Sequence, residues 1–217
     1  MKVAELKARS PLFDTRMFTR DLEQLYINLA QQHRVEAANV PSDMQHVGLR
    51  LHIGGVEAKA GWKILNALPG PNVDFVGDLR DLSGFANESC AELYASHVLE
   101  HISQTDMLGT LLELHRILVP GGRLSISVPD LQVLCEHFLD PHLNRQQRFH
   151  VMRMIFGGQI DAYDFHQIGL SLEFLADYLS QAGFSSVEQV DGFSLFDDTS
   201  NYAPYGRPIS LNIVAIK

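Results

Sequence analysis

The sequence predicts an α/β protein in which a mostly parallel sheet is covered by helices on both faces. Three observations point to it. Short apolar runs that read as strands alternate with segments whose apolar residues recur at helical spacing. The run Leu93–Ser96 stops at a small polar residue and changes register, with Val98, Leu99 and Ile102 at helical spacing. Such a strand end presents backbone N–H groups and a side chain where open α/β sheets hold ligands. The last two strands share no helix, so one of them is expected to run antiparallel.

Taken in order, Ser10–Thr15 reads as a loop ending in a cap. From Arg16 to about His33, Phe18, Leu22, Leu25, Tyr26 and Leu29 recur at helical spacing, with Arg20, Asp21, Glu23 and Gln24 opposite. This is read as a helix packed on the domain; the alternative is an arm that covers the ligand or pairs with a second copy. Gly48–Gly55 is a strand running into a glycine turn, where the backbone can approach a ligand closely. Trp62–Asn66 is the next strand. So few residues separate the two that the first crossover helix is reduced to a turn, unless the strand boundaries lie elsewhere. Val73–Asp78 is a third strand ending in Gly77-Asp78.

After Ser96, a plausible N-cap, Asp106–Leu118 is a helix with Leu108, Leu111, Leu112, Leu114 and Leu118 inward. Pro120-Gly121-Gly122 ends it, and Arg123–Asp130 is a strand stopped by Pro129. Leu131–Leu139 and Arg145–Phe156 read as helices. Gly157–His166 is a polar and aromatic loop with two glycines, expected to close over the cleft with Tyr163 or His166 touching the bound substrate. Ser171 caps a helix that ends at Gly183, and Ser186–Phe193 and Ile209–Ile216 are the last strands. The domain reading is an N-terminal helical extension over 1–45 and an α/β domain over 46–217, with an insertion at about 131–170 covering the cleft.

Composition limits the function. The chain has 217 residues, 46% of them apolar, which suffices for a core. The 26 acidic against 17 basic residues give a formal charge of −9. A nucleic-acid partner needs a basic face, so none is expected. Cys90 and Cys135 are too few for a disulfide framework and lack metal spacing, so a reducing, cytoplasmic setting is expected. The start, Met1–Leu6, has no long apolar region, and no run approaches the ~18 apolar residues of a membrane span, so no membrane partner is expected.

Five pieces stand in a telling order: Leu51-His52-Ile53-Gly54-Gly55, Gly77-Asp78-Leu79, Ala95-Ser96-His97-Val98-Leu99-Glu100-His101, Pro120-Gly121-Gly122-Arg123-Leu124 and Gln181-Ala182-Gly183-Phe184. Together they resemble class I S-adenosylmethionine-dependent methyltransferases, and about Gly48 to Lys217 looks like that family's small-molecule branch. The resemblance implies a Rossmann-like seven-stranded sheet with an antiparallel last strand and S-adenosyl-L-methionine as cofactor. It implies Gly54 and Gly55 at the cofactor's methionine end, Asn66 at the ribose, Asp78 and the Leu79 backbone at the adenine, and Ser96 with His97 facing the methyl. Three positions depart from the family. His52 and Val56 flank the glycine turn, and Asn66 stands where an acid usually holds the ribose, which removes the charge assistance that roughly doubles a hydrogen bond's strength. The Phe165-His166 loop and Leu195–Ser200 resemble a bacterial subgroup linked to surface polysaccharides. Ser10–Leu25 looks like the end of tetratricopeptide-linked glycosyltransferases. The resemblance therefore implies a small-molecule or carbohydrate acceptor, in surface-polysaccharide or natural-product synthesis.

The histidines supply the candidate chemistry. An imidazole, with an ordinary pKa of about 6.5, suits a base for a sugar or phenol hydroxyl. His97, at the strand end, is the first choice; the bland reading is a helix-start residue. His166 and His150 flank the loop and are placed against substrate, while His101, one turn on, is read as holding the loop by hydrogen bonding. His52 reads as a packed strand histidine. His97 and His101 at i, i+4 could bind a metal, but the string is not His-Glu-x-x-His and shows no third ligand, so no metal is assigned. Two functions follow: an active O- or N-methyltransferase, or a methyltransferase-like binding domain without activity, the latter suggested by Val56 and Asn66.

Overall fold

The computed structural model describes residues 48–217; the helix expected from Arg16 and the 1–45 extension lie outside them. Seven strands form one sheet in the order β3-β2-β1-β4-β5-β7-β6. They are β1 (Leu49–Ile53), β2 (Lys63–Asn66), β3 (Phe75–Val76), β4 (Cys90–Ser96), β5 (Leu118–Pro129), β6 (Ser186–Val190) and β7 (Ser210–Ile216). The pairs through β5 are parallel, and β7 runs antiparallel to both β5 and β6, as the missing helix before it requires. The fold class is the α/β, Rossmann-like one expected.

The crossover after β1 is indeed a turn. Only residues 54–62 separate β1 from β2, yet the two pair in parallel from Leu51↔Lys63 to Ile53↔Leu65. Among the described residues no helix lies between β1 and β4. The helices come later: α1 (Gln104–Ile117), α2 (Leu131–Leu139), α3 (Arg145–Phe156) and α4 (Leu172–Gln181).

Strand alternation sorts side chains onto two faces. Leu51, Ile53, Leu93, Ala95, Leu124, Ile126, Leu211 and Ile213 share the main core with Leu111 and Leu114 of α1 and Leu175 and Leu179 of α4. On the strands' alternate positions, Tyr94 and Val214 pack with Trp62, Phe193 and Phe196 in a second cluster. A parallel sheet is buried on both faces, and with no helix after β1 the segment between β6 and β7 supplies the cover. It is fastened to the short crossover: Lys59 Nζ donates to Leu195 O at 2.6 Å, and Asp197 N donates to the Glu57 carboxylate at 3.2 Å.

The end of β4 differs from the expected cap. Ser96 stays in the strand, paired with Ser127, and caps nothing. His97 turns the chain at φ +53°, in the left-handed region, and a 3-10 turn over Leu99–His101 follows. The true N-cap of α1 is Ser103, whose hydroxyl accepts from Asp106 N. In α1 the inward residues are Met107, Thr110, Leu111, Leu114 and Ile117, whereas Leu112 is exposed. Helical spacing alone did not separate Leu112 from its buried neighbours in a leucine-rich run.

Phe196 carries the cover, 5.5 Å from Trp62 and 5.1 Å from Tyr94 between ring centroids. Phe196→Ala should therefore cost about 3–5 kcal/mol of stability. Urea denaturation followed by the fluorescence of Trp62, the chain's single tryptophan, measures it; a loss near zero would show that the segment does not hold the sheet.

Candidate active site

The glycine turn comes first. Gly54 sits at φ +75° with its N–H on Leu65 O at 2.8 Å. A Cβ on Gly54 would lie 2.4 Å from Val98 Cγ2, and one on Gly55 2.3 Å from His52 Nδ1. Glycine is thus required here by the close approach of β1's turn to the segment after β4 and to His52. Asn66, at the end of β2, braces this turn. Its amide donates to Gly55 O at 3.0 Å and Gly54 O at 3.3 Å, and its oxygen accepts from Leu68 N at 2.9 Å.

Beyond β3, both oxygens of Asp78 meet the Arg80 guanidinium, at 2.9 and 2.5 Å. The hydrogen bonds from Arg80 hold the Asp78 carboxyl below its ordinary range. The Asp78 side chain remains 38% exposed, so a ligand can still reach it. Leu79 is buried against the main core.

At the end of β4 the fold gathers residues far apart in sequence. His97 Nε2 lies 2.9 Å from Ser210 Oγ of β7, and His97 Nδ1 lies 3.4 Å from Glu100 Oε1. The Ser210 hydroxyl also donates to Thr199 O at 2.9 Å. Beside them Tyr94 donates its hydroxyl to Asp198 at 2.6 Å. Burial raises the Asp198 carboxyl, but hydrogen bonds from Tyr94, Ser200 and Ser96 outweigh that and hold it low; burial, followed by Asp198, pushes the Tyr94 phenol well up. Glu100, Tyr94, Asp198 and Ser210 were missed from the sequence. Glu100 fell inside an expected helix, and the others depend on contacts across the sheet that local pattern does not carry.

His166 sits with its ring 4.9 Å from that of His101 and its Nε2 3.9 Å from Glu100 Oε1. Its side chain is 11% exposed. Burial lowers its pKa, an effect that Glu100 opposes in part. His101 Nδ1 lies 3.1 Å from Phe165 O, and Gln167 N donates to Glu100 O at 2.7 Å, so this end of the 157–166 loop is stitched to the turn after β4. Asp164 braces the other end, accepting from Gly158 N and Ile160 N. Tyr163 is 53% exposed. His150 lies apart from this group, 2.8 Å from the Tyr205 hydroxyl.

The sheet order reverses between β1 and β4, and the crevice at such a reversal is where open α/β sheets bind ligands. Gly54, Gly55, Asn66, Asp78 and Ser96 all lie at strand ends along it. A family described as "Methyltransferase domain" matches residues 21–126. No curated protein matches. An S-adenosylmethionine-dependent methyltransferase from Archaeoglobus fulgidus is similar over 88% of this chain and 99% of that one, at 13% identity and a TM-score of 0.51. The Burkholderia thailandensis 1,6-didemethyltoxoflavin-N1-methyltransferase, solved with 1,6-didemethyltoxoflavin and S-adenosylhomocysteine, is 15% identical over 96% of this chain and 92% of that one, with a TM-score of 0.49. An S-adenosylmethionine-dependent methyltransferase from Mesorhizobium loti is 17% identical over 84% and 96%, with a TM-score of 0.49. The matched domain, over residues 21–126, and the fold liken this chain to the class I S-adenosylmethionine-dependent methyltransferase family. S-adenosylmethionine is the cofactor of that family; of the strand-end residues, Asp78 is partly exposed, the Ser96 hydroxyl is buried and Asn66 is already engaged by the glycine turn.

Two predictions follow from this geometry. Asn66→Asp would replace two donated hydrogen bonds by a carboxylate facing two carbonyl oxygens, so it should cost about 1–3 kcal/mol of stability, read from urea midpoints. A variant as stable as the parent would show that the amide does not brace the turn. The second concerns His52, whose pKa burial lowers to about 4. In the unfolded chain this imidazole takes its proton near 6.5, so between the two values the unfolded state binds more protons and stability falls as pH falls. Urea midpoints measured from pH 7 to pH 4 should drop, and His52→Phe should make that drop shallower.

Proposed function

We propose that this protein transfers a methyl group to a hydroxyl or amine of a small, polar, sugar-like acceptor. The observation that carries the reading is His97, held between the buried Glu100 carboxylate and the Ser210 hydroxyl at the end of β4. When bound, the cofactor supplies a sulfonium methyl that is already electrophilic. The protein's own tasks are then alignment and proton removal.

Gly54, Gly55, Asn66, Asp78, Leu79 and Ser96 form the cofactor side of the crevice. His97 acts as the base. The Ser210 hydroxyl has one proton and two acceptors in reach, Thr199 O and His97 Nε2. In the catalytic tautomer Nε2 is bare, and Nδ1–H faces Glu100, which stabilises the imidazolium that forms. An acceptor hydroxyl hydrogen-bonded to Nε2 would give its proton there, and the bound cofactor would supply the methyl that its oxygen takes. His166, turned onto Glu100, acts on His97 through that carboxylate as a positioning residue.

A carbohydrate acceptor, in surface-polysaccharide or natural-product synthesis, belongs to this reading. A cytoplasmic location is part of the same reading. Cys90 and Cys135 are both free thiols, and no helix among the described residues is long and apolar enough to cross a membrane. The second reading, a binding domain without activity, draws on the engagement of Asn66 and Asp78 by the chain's own groups.

Calorimetry with S-adenosylmethionine separates the two readings, because the first expects saturable heat and the second expects none at millimolar cofactor. Across a panel of hydroxyl and amine acceptors, His97→Gln should lower kcat by about 10²–10⁴-fold with cofactor affinity unchanged. Turnover equal to the parent's would remove His97 from the chemistry.

A further inference from the structure

We propose that Glu100, His101 and His166 form a binding site for a divalent transition-metal ion beneath the end of β4. One atom from each residue, the Glu100 carboxylate and two ring nitrogens, lies within 4.8 Å of the other two. The sequence spacing of His97 and His101 shows no third ligand; the fold brings one from the 157–166 loop and one from the intervening turn.

The central observation is Glu100. Its side chain is 3% exposed, and neither carboxylate oxygen has a hydrogen-bond partner among the described residues. An ionised carboxylate withdrawn from water is strongly unfavourable unless it is paired or coordinates a metal. Its nearest nitrogens, His97 Nδ1 at 3.4 Å and His166 Nε2 at 3.9 Å, approach without hydrogen-bond geometry. The three side chains thus lie against one another with no hydrogen bond among them.

His101 is held as metal-binding histidines are held. Its Nδ1 is within hydrogen-bond distance of the Phe165 carbonyl, which can only accept, so Nδ1 carries the hydrogen and Nε2 keeps its lone pair. Backbone contacts fix the platform: Gln167 N donates to Glu100 O at 2.7 Å and Gln167 Nε2 donates to His101 O at 2.9 Å. Ligand atoms around a zinc-like ion sit about 3–4 Å apart, given bonds of about 2.0–2.2 Å. The rings therefore need to draw in by about one ångström. Two imidazoles and one carboxylate suit zinc, iron, cobalt or manganese, whereas magnesium and calcium prefer all-oxygen sets. Three protein ligands would leave a coordination position open.

This inference stands on side-chain geometry and does not rest on the methyltransferase reading. The test uses the full chain without a histidine tag, stripped with chelator, then equilibrated separately with zinc and with cobalt and freed of excess. Elemental analysis should find one ion per chain, zinc should raise the melting temperature, and cobalt should give visible absorption bands. Glu100→Gln and His166→Gln should each lose the bound equivalent, weakening affinity by about tenfold or more. His101→Asn, at a half-buried position, serves if either variant fails to fold. His142→Asn, which removes an exposed histidine next to Asp140, should keep the ion. Equal zinc content in parent and site variants overturns the proposal. So does a parent that holds no zinc while Glu100→Gln melts higher, which would mark Glu100 as an uncompensated buried acid. Neither metal content nor melting temperature requires turnover, so a protein that binds zinc but methylates nothing counts against the proposed function alone.

Discussion

A parallel sheet has to be covered on both faces, and this one has no helix after β1, β2 or β3 among the described residues. The chain meets that constraint late, with the segment between β6 and β7. Phe193 and Phe196 lie over Trp62, Tyr94 and His52, and Lys59 and Glu57 fasten the segment to the shortened crossover. The cover also delivers chemistry. Asp198 reaches Tyr94 from it, and Ser210, where it rejoins the sheet, reaches His97. The candidate site is therefore assembled partly by the segment that closes the apolar face.

The backbone at His97 is the second device. A non-glycine residue at φ +53° is uncommon, and such conformations persist only when the surroundings impose them. Here the His97 N–H bonds Ser127 O at 2.8 Å while both ring nitrogens face other groups. The sharp turn at His97 sends Glu100 back under the strand end, into the interior, instead of along the exposed side of a continuous helix. Burial of Glu100 and the placement of His97 are thus two results of one change in backbone direction.

That change also explains what could be read from the sequence. Strand, turn and helix positions after Gly48 were legible because periodicity and punctuation are local: Leu131–Leu139 and Arg145–Phe156 are helices over the residues expected. The strand end at Ser96 was legible for the same reason. Its continuation was not, since Ser96 and Ser103 are both good caps and the choice between them depends on how His97 is held from β5 and β7. Likewise the spacing of His97 and His101 allowed a metal but showed no third ligand, and Glu100 between them lay in an expected helix. Ser210 and Asp198 stand more than one hundred positions from their partners, so only the strand order brings them in.

Asn66 shows how one departure from a family pattern can follow from another. In a βαβ crossover, the residues after the glycine turn enter a helix, which uses their backbone groups. Here the crossover is too short for a helix, and the carbonyls of Gly54 and Gly55 turn towards β2, where they need donors. An aspartate or glutamate has none to give when ionised. An asparagine donates to both carbonyls through one nitrogen and still accepts from Leu68 N with its oxygen. The amide at 66 and the missing helix are thus one structural solution. The charge that a carboxylate would have offered a ribose gives way to a hydrogen bond that keeps the glycine turn in shape. Asp78, partly exposed just past the third strand and held ionised by Arg80, is the acid that the proposed function assigns to this edge of the crevice.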